Sequence, residues 1–262
     1  MLARTHFADL HAHLLPAVDD GPSDLEETVE LLRVAHRAGT RRIVATPHMF
    51  SPNVPTGDAA TLRGALEQLA GELRELSLRE EHAFLREIEI FPGSENYVSP
   101  EFFTAFEQAD VLTLNDSRYV LVEFSPFLAA PVVESALQRI LGGGMVPVVA
   151  HVERYPTFED QPERLAHLVE MGCILQINAQ SLLLSRWSPS RKVCWSLLER
   201  GLAQIIASDA HDPDRRSPGM GDAFRRLSRK FPEERIRAWM WHNPSAILED
   251  RPLPKSSPAP VG

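Results

Sequence analysis

The chain has 262 residues, 44% hydrophobic and 24% charged, with a formal net charge of −9. That length can bury a sizeable core, as one large domain or two small ones, while the acidic balance gives no support to a nucleic-acid partner, which is bound through basic surface. No apolar run approaches the roughly 20 residues that span a bilayer, and Met1-Leu2-Ala3-Arg4-Thr5 lacks the order of a signal peptide, so a cytoplasmic protein without membrane insertion is expected.

Short β-rich runs alternate with amphipathic stretches. A strand is expected at His6–His11. Ser23-Asp24-Leu25-Glu26 then has the spacing of a capping box, Leu25, Val29, Leu32 and Ala35 share one helical face, and Gly39 closes that helix. A strand at Arg42–Thr46 precedes a long helical run from Asp58 to about Arg86, whose Leu66, Leu69, Leu73 and Leu76 stripe reads as core. Strands follow at Glu89–Gly93 and Tyr119–Glu123, a helix at Val132–Leu141, and a strand at Val146–His151. Helix Pro162–Met171, strand Ile174–Asn178, helix Ser190–Arg200, strand Gln204–Ser208 and helix Met220–Arg229 complete the pattern. Residues 251–262 are Pro/Ser-rich and read as a flexible tail. No repeat or linker divides residues 1–250, which are expected to form one domain.

Several of these strands are continuous apolar runs, as parallel strands covered on both faces are. Seven strands with intervening helices imply an α/β protein, either a barrel or a doubly wound sheet. The polar residues favour the barrel. His11, His13, His48, Glu95, Glu123, His151, Asp209 and His211 all fall at or just past the C-terminal ends of strands, and in a barrel those ends converge on one mouth.

Residues i and i+2 of a strand face the same side, about 6.5–7 Å apart, so His11 and His13 can aim both imidazoles at one point. Neutral imidazole is the commonest protein ligand for borderline metals. Six strand ends each carrying His, Asp or Glu would be costly to bury without a partner or a metal. Asp19 and Asp20 precede Gly21-Pro22; one could be a further ligand, although Asp-Gly alone reads as a turn.

The segments DLHAH, DDGP, ATPH, PGSEN, LVEF, AHVERY and SDAH, in this order, resemble the PHP (polymerase and histidinol phosphatase) superfamily. More closely they resemble its bacterial metal-dependent protein-tyrosine phosphatases of capsule and exopolysaccharide loci. The resemblance implies a distorted (β/α)7 TIM-like barrel with three metal ions. His11, His13, Glu95 and Asp209 would hold the first. Glu95 would bridge to a second, completed by Glu123 and His151. Asp20, His48 and His211 would hold the third, Asp20 being chosen because it stands directly before Gly-Pro. Arg154 and Arg216 match the phosphate-binding arginines, with Arg215 the neighbouring alternative for the latter.

Four carboxylates against three divalent ions leave such a cup about +2 before the arginines, suited to a phosphomonoester of about −1.5 to −2. The implied activity is hydrolysis of protein phosphotyrosine by a metal-activated hydroxide, with Arg154, Arg216, His48 and His211 as catalytic candidates. The donor set fits Mn, Fe, Zn, Co or Mg, and the resemblance leans to Mn. A tyrosine kinase that regulates polysaccharide export is the implied partner; oligomeric state stays open. A small-molecule phosphatase acting on a substrate like histidinol phosphate, or a non-catalytic metal-binding module, are the alternatives.

Cys194 and Arg200 fit Cys-x5-Arg, the pattern of cysteine-dependent tyrosine phosphatases. The five residues between are bulky helix formers whose amides a helix would consume, so that mechanism is not expected. Two cysteines, Cys173 and Cys194, are too few for a disulfide framework. His6, His36, His82, His167 and His242 read as structural, and Trp187, Trp195, Trp239 and Trp241 as packing.

Overall fold

A computed structural model describes residues 5–54, 56–159 and 161–254. Among these residues nine strands are present: β1 (Phe7–Ala12), β2 (Thr40–Ala45), β3 (His48–Met49), β4 (Glu89–Pro92), β5 (Glu95–Tyr97), β6 (Tyr119–Glu123), β7 (Val146–Val149), β8 (Ile174–Asn178) and β9 (Ile205–Ala207). Every pairing is parallel, in the orders β1-β2-β4 and β3-β5-β6-β7-β8-β9.

The strands expected at Arg42–Thr46 and Glu89–Gly93 are each followed by a short further strand, β3 and β5, which accounts for the higher number. Between β2 and β3 lies Pro47, which has no N–H to give to a ladder. Between β4 and β5 lies Gly93, where an added Cβ would come within 2.7 Å of Val44 Cγ1. The backbone shifts partner at this point: Glu95 N donates to Pro47 O at 3.0 Å.

Strand residues alternate between two apolar layers, the period of 2 that a pleated strand imposes. Leu10, Val44, Leu121, Val148, Ala150, Ile205 and Ala207 pack with one another inside the sheet. Val120, Val122, Val149, Leu175, Ile177 and Ile206 pack outward, in one cluster with the helix residues Leu137, Leu168 and Leu197. The sheet is curled. At the end of β1 and past that of β9, Ala12 bridges Ala210, Asp209 N donates to His11 O at 2.8 Å and His13 N to Ala210 O at 2.8 Å. The curl gives the C-terminal ends of the strands a common mouth.

The helices are α1 (Leu25–Ala38), α2 (Ala59–Leu76), α3 (Pro100–Glu107), α4 (Ala130–Gly142), α5 (Pro162–Glu170), α6 (Pro189–Arg200), α7 (Met220–Leu227), α8 (Glu233–Arg237) and α9 (Asn243–Leu248). The expected Ser23 cap is displaced by one residue. Asp24 accepts from Glu27 N at 2.9 Å, and Ser23 donates to Glu27 Oε2 through both N and Oγ. Gly39 ends α1 at φ 110, as a C-terminal glycine does. The long run expected to reach Arg86 stops at Leu76, and a 3-10 stretch covers Glu80–Glu87. Leu66, Leu69 and Leu73 are core, with Leu76 packed against them.

Trp187 departs from the packing role expected of it: it is 71% exposed. Trp195 and Trp239 pack on Phe231, and Trp241 lies under Arg42 and against His6. The chain is still tied to the sheet near residue 251, through Arg118 on Asp250 and Tyr119 Oη donating to Arg251 O. Residues 255–262 of the expected tail lie outside the described residues.

Candidate metal centre

All nine residues expected to ligate metal converge on the mouth. β1 and its extension supply His11 and His13, and the turn after it supplies Asp20. His48 opens β3, Glu95 opens β5 and Glu123 ends β6. His151 follows β7, and Asp209 and His211 follow β9. His151 (φ 32) and Asp209 (φ 54) take left-handed backbone that non-glycine residues seldom adopt, a conformation that clusters at functional sites.

His11 Nε2, His13 Nε2 and Glu95 Oε2 stand 3.3–3.4 Å from one another. Donors around one ion with bonds of about 2.1 Å have this spacing. Asp209 Oδ1 lies 3.4 Å from His11 Nε2 and 3.7 Å from His13 Nε2. The other oxygen of Glu95 meets His151 Nε2 at 2.8 Å, with Glu123 Oε2 3.8 Å from the same nitrogen. On the far side, Asp20 Oδ1 is 3.3 Å from His48 Nε2 and 3.2 Å from His211 Nε2. His48 sits between groups, since its Nδ1 is 3.1 Å from Glu95 Oε2 and 3.3 Å from Glu123 Oε1.

The far nitrogens of three imidazoles are already engaged. His11 Nδ1 faces Gln176 Oε1 at 3.3 Å, His13 Nδ1 faces Asp19 Oδ2 at 2.7 Å, and His211 Nδ1 faces Asp209 O at 2.9 Å. Each partner is an acceptor, so in the neutral imidazole Nδ1 donates and Nε2 turns its lone pair into the cup. His211 Nε2 is buried and makes no well-directed hydrogen bond, although Asp20 Oδ1 lies 3.2 Å away. A buried unsatisfied nitrogen is costly, and a cation is the partner that this donor set suits.

Electrostatics concentrate charge here. Burial opposes a charged His13, but hydrogen bonds to Asp19 and Glu95 outweigh it and push its pKa up to about 9. His48 is carried against the same burial cost to about 11 by Asp20 and Glu123. For His211, burial and the nearby His13 charge bring the value down to about 4. Glu95, Asp209 and Asp20 stay below the usual carboxylate range in spite of their burial, held there chiefly by the surrounding histidines.

Both expected arginines lean on the cup. Arg154 NH1 is 2.9 Å from Asp209 Oδ2 and Arg216 NH1 is 2.8 Å from Asp20 Oδ2. Arg216, rather than its neighbour Arg215, makes this contact. The Cys194 thiol is fully buried within α6 and its pKa is raised well above the ordinary value by burial, while Arg200 pairs with Glu163. Neither can serve a phosphate loop. His36, His82, His167 and His242 pair with surface glutamates away from the mouth.

Two participants, both on β8, escaped the sequence reading, and a third stands in a role not expected of it. Asp19, weighed as a ligand, instead braces one: Oδ2 also accepts from His48 N, and Oδ1 from Gly21 N. On β8, the fully buried amides Gln176 and Asn178 form a chain. Gln176 Oε1 accepts from His151 N at 2.8 Å, Gln176 Nε2 donates to Asn178 Oδ1, and Asn178 Nδ2 donates to Asp209 Oδ2 at 2.7 Å. This chain links the surroundings of His11, His151 and Asp209. Two amides one residue apart in the apolar run ILQIN were the available signal.

A family model described as capsular polysaccharide synthesis, CpsB/CapC, matches residues 7–249. The tyrosine-protein phosphatase CpsB of Streptococcus pneumoniae is 31% identical over 250 residues, spanning 93% of this chain and 98% of its own. The tyrosine-protein phosphatase YwqE of Bacillus subtilis is 32% identical over 254 residues, 97% and 96% of the two chains. A crystal structure from work on YwqE and CpsB, described there as unique metal-dependent tyrosine phosphatases, superposes with a TM-score of 0.85 at 30% identity, covering 97% of this chain and 99% of that one. A phosphotriesterase homology protein from Escherichia coli shares the fold alone, with a TM-score of 0.56 at 11% identity over 94% and 100% of the chains.

Proposed function

Because the chain belongs to the CpsB/CapC family of capsular polysaccharide synthesis, we propose that its cup hydrolyses phosphotyrosine in protein with Mn as the resident metal. It is a metal-dependent tyrosine-protein phosphatase. The observation that carries the site assignment is the convergence of His11, His13 and Glu95 donor atoms at 3.3–3.4 Å, with Arg154 and Arg216 against the same cup.

In this reading His11, His13, Glu95 and Asp209 hold one ion, Glu95, Glu123 and His151 a second, and Asp20, His48 and His211 a third. Divalent ions held there would polarise the phosphoryl oxygens and supply a hydroxide at neutral pH. Arg154 and Arg216 each have N–H groups left beyond the carboxylate they touch, and these take the non-bridging phosphoryl oxygens. The leaving phenolate, with a pKa of about 10, needs modest proton help. His48, the most exposed of these histidines at 13%, is our candidate for that help, and it shares Asp20 with His211.

The fold reading is a single domain over residues 1–250. Its sheet comes to seven strands when β2 with β3, and β4 with β5, are each taken as one interrupted strand, which supports a distorted (β/α)7 barrel. The kinase partner rests on the family's place in capsule synthesis, and a cytoplasmic location on the nature of such a partner.

The test is elemental analysis of purified protein beside hydrolysis of a phosphotyrosyl peptide, before and after chelation. Metal and activity should leave together and return together with Mn. Turnover of histidinol phosphate but not of the peptide would move the protein to the small-molecule phosphatases.

A further inference from the structure

Six large apolar residues stand exposed among the described residues, and five of them, Phe127, Val132, Leu183, Leu184 and Trp187, lie on segments leaving the mouth end of the sheet. Scattered exposed hydrophobics are ordinary, but grouped ones mark interaction sites. Phe127, 95% exposed, is in the connection from β6 to α4. Leu183, Leu184 and Trp187 are in the connection from β8 to α6. In the sheet order β6-β7-β8, these two connections flank the one after β7, which carries His151 and Arg154.

The second group is held in place. Gln180 Nε2 donates to Ser217 O at 2.9 Å and Arg215 O at 3.3 Å, joining this loop to the one that carries Arg216. Arg191 NH1 donates to Leu184 O at 2.8 Å. The Arg186 guanidinium covers one face of Trp187, 4.5 Å from the ring, and Ser188 caps α6 immediately after. An ordered loop that presents an indole to water is suited to binding, because little freedom is lost on contact.

We propose that Phe127 and the Leu184–Trp187 edge form an apolar docking rim that grips the polypeptide on the two sides of a phosphotyrosine. The inference rests on the phosphotyrosine reading above and deepens it. The Arg154 connection comes between these two in the sheet order, and the second is tied to the Arg216 loop, so a polypeptide whose phosphate is seated on the two arginines is the occupant that the rim would meet. A small phosphomonoester fills the cup and leaves the rim uncovered. The rim therefore selects for polypeptide, and within polypeptides for large apolar residues beside the tyrosine.

The experiment compares three substrates of the metal-loaded protein: a phosphotyrosyl peptide flanked by Leu and Ile, the same peptide flanked by Ser and Gly, and p-nitrophenyl phosphate. Wild type should favour the apolar-flanked peptide through KM by about tenfold, the scale of burying one large apolar side chain. Phe127→Ser with Trp187→Ser should erase that preference and leave kcat, and all p-nitrophenyl phosphate kinetics, unchanged. Equal KM for the two peptides in wild type, or a preference surviving in the double variant, overturns the rim. Parallel loss of p-nitrophenyl phosphate turnover also overturns it, since the residues would then serve the fold. If wild type cleaves p-nitrophenyl phosphate and neither peptide, the phosphotyrosine reading falls first and the rim with it.

Discussion

A ligand imidazole is only as well aimed as the bond on its other nitrogen. Asp19 fixes His13 in this way, and in the same stroke ties down His48 N and Gly21 N. Asp19→Ala should therefore lower metal affinity about 10–100-fold, read by titration of the chelated protein, with the secondary structure unchanged by circular dichroism. Arg154 tests the other half of the site. Arg154→Ala should keep its metal and lose roughly 10–100-fold in kcat/KM, the cost of one charge-assisted contact to the phosphoryl group. Both cysteines bear on the rejected mechanism. Burial raises Cys173 to about 12 and Cys194 well above its ordinary value, so neither thiol should react with a disulfide reagent until the protein is unfolded, and Cys194→Ser should retain activity. At this scale the residues that meet at the mouth were legible because His, Asp and Glu at the end of an apolar strand need a reason to be there. Asp19 and Asp20 were not separable from the residues alone, since both precede the same turn and only folding decides which faces the cup. Gln176 and Asn178 were silent for a different reason: an amide carries no charge, and its burial shows only when its partners from other strands are in place.

Strand ends do the positioning, and the breaks in the strands matter as much as the runs. Continuous apolar stretches made β6 and β8 readable to the residue, whereas β3 and β5 were hidden because two or three residues carry no periodicity. Gly93 shows what the second break requires. A Cβ there would press on Val44 Cγ1 at 2.7 Å and on Leu114 Cδ2 at 3.3 Å, two residues before Glu95. Gly93→Ala should cost about 1–3 kcal/mol by overpacking, measured by denaturant unfolding, and should lower bound metal as Glu95 is displaced. Helix α1 offers a contrast remote from the chemistry. Asp24→Ala removes the cap of Glu27 N and should cost about 1 kcal/mol without changing metal content. Helix α3 escaped notice because Phe102, Phe103 and Phe106 crowd one another in a short aromatic run, which reads equally as strand. The C-terminal turns around α8 and α9 are joined by a π-helical stretch at Ala238–His242, whose spacing departs from the 3.6 period on which a helix is recognised.

For the molecule as a whole, the cup is a charged hollow inside an apolar sheet, and its protons stand in for cations when metal is removed. The stability of the chelated protein should then follow its histidines. His13 has a folded pKa of about 9, above an unfolded value of about 6.5. Its contribution is fully present below about pH 6.5 and is lost as pH rises through 9, on the order of 3 kcal/mol in all. His48, raised to about 11, extends the same loss further into alkali. His211 acts in the other direction. Its folded pKa of about 4 means that the unfolded chain takes up its proton first, so stability falls as pH drops from about 6.5 towards 4. Below that, protonation of Asp20, Glu95 and Asp209, all depressed in the folded state, removes still more. Thermal melts of the chelated protein should therefore peak near pH 6.5 and decline on both sides. Loading with Mn should abolish the alkaline decline, because the ion displaces the protons whose loss causes it, and should release protons measurable in a weakly buffered titration at pH 7. A chelated protein equally stable at pH 6.5 and pH 9 would show that the carboxylates and imidazoles of the mouth are not held together as described.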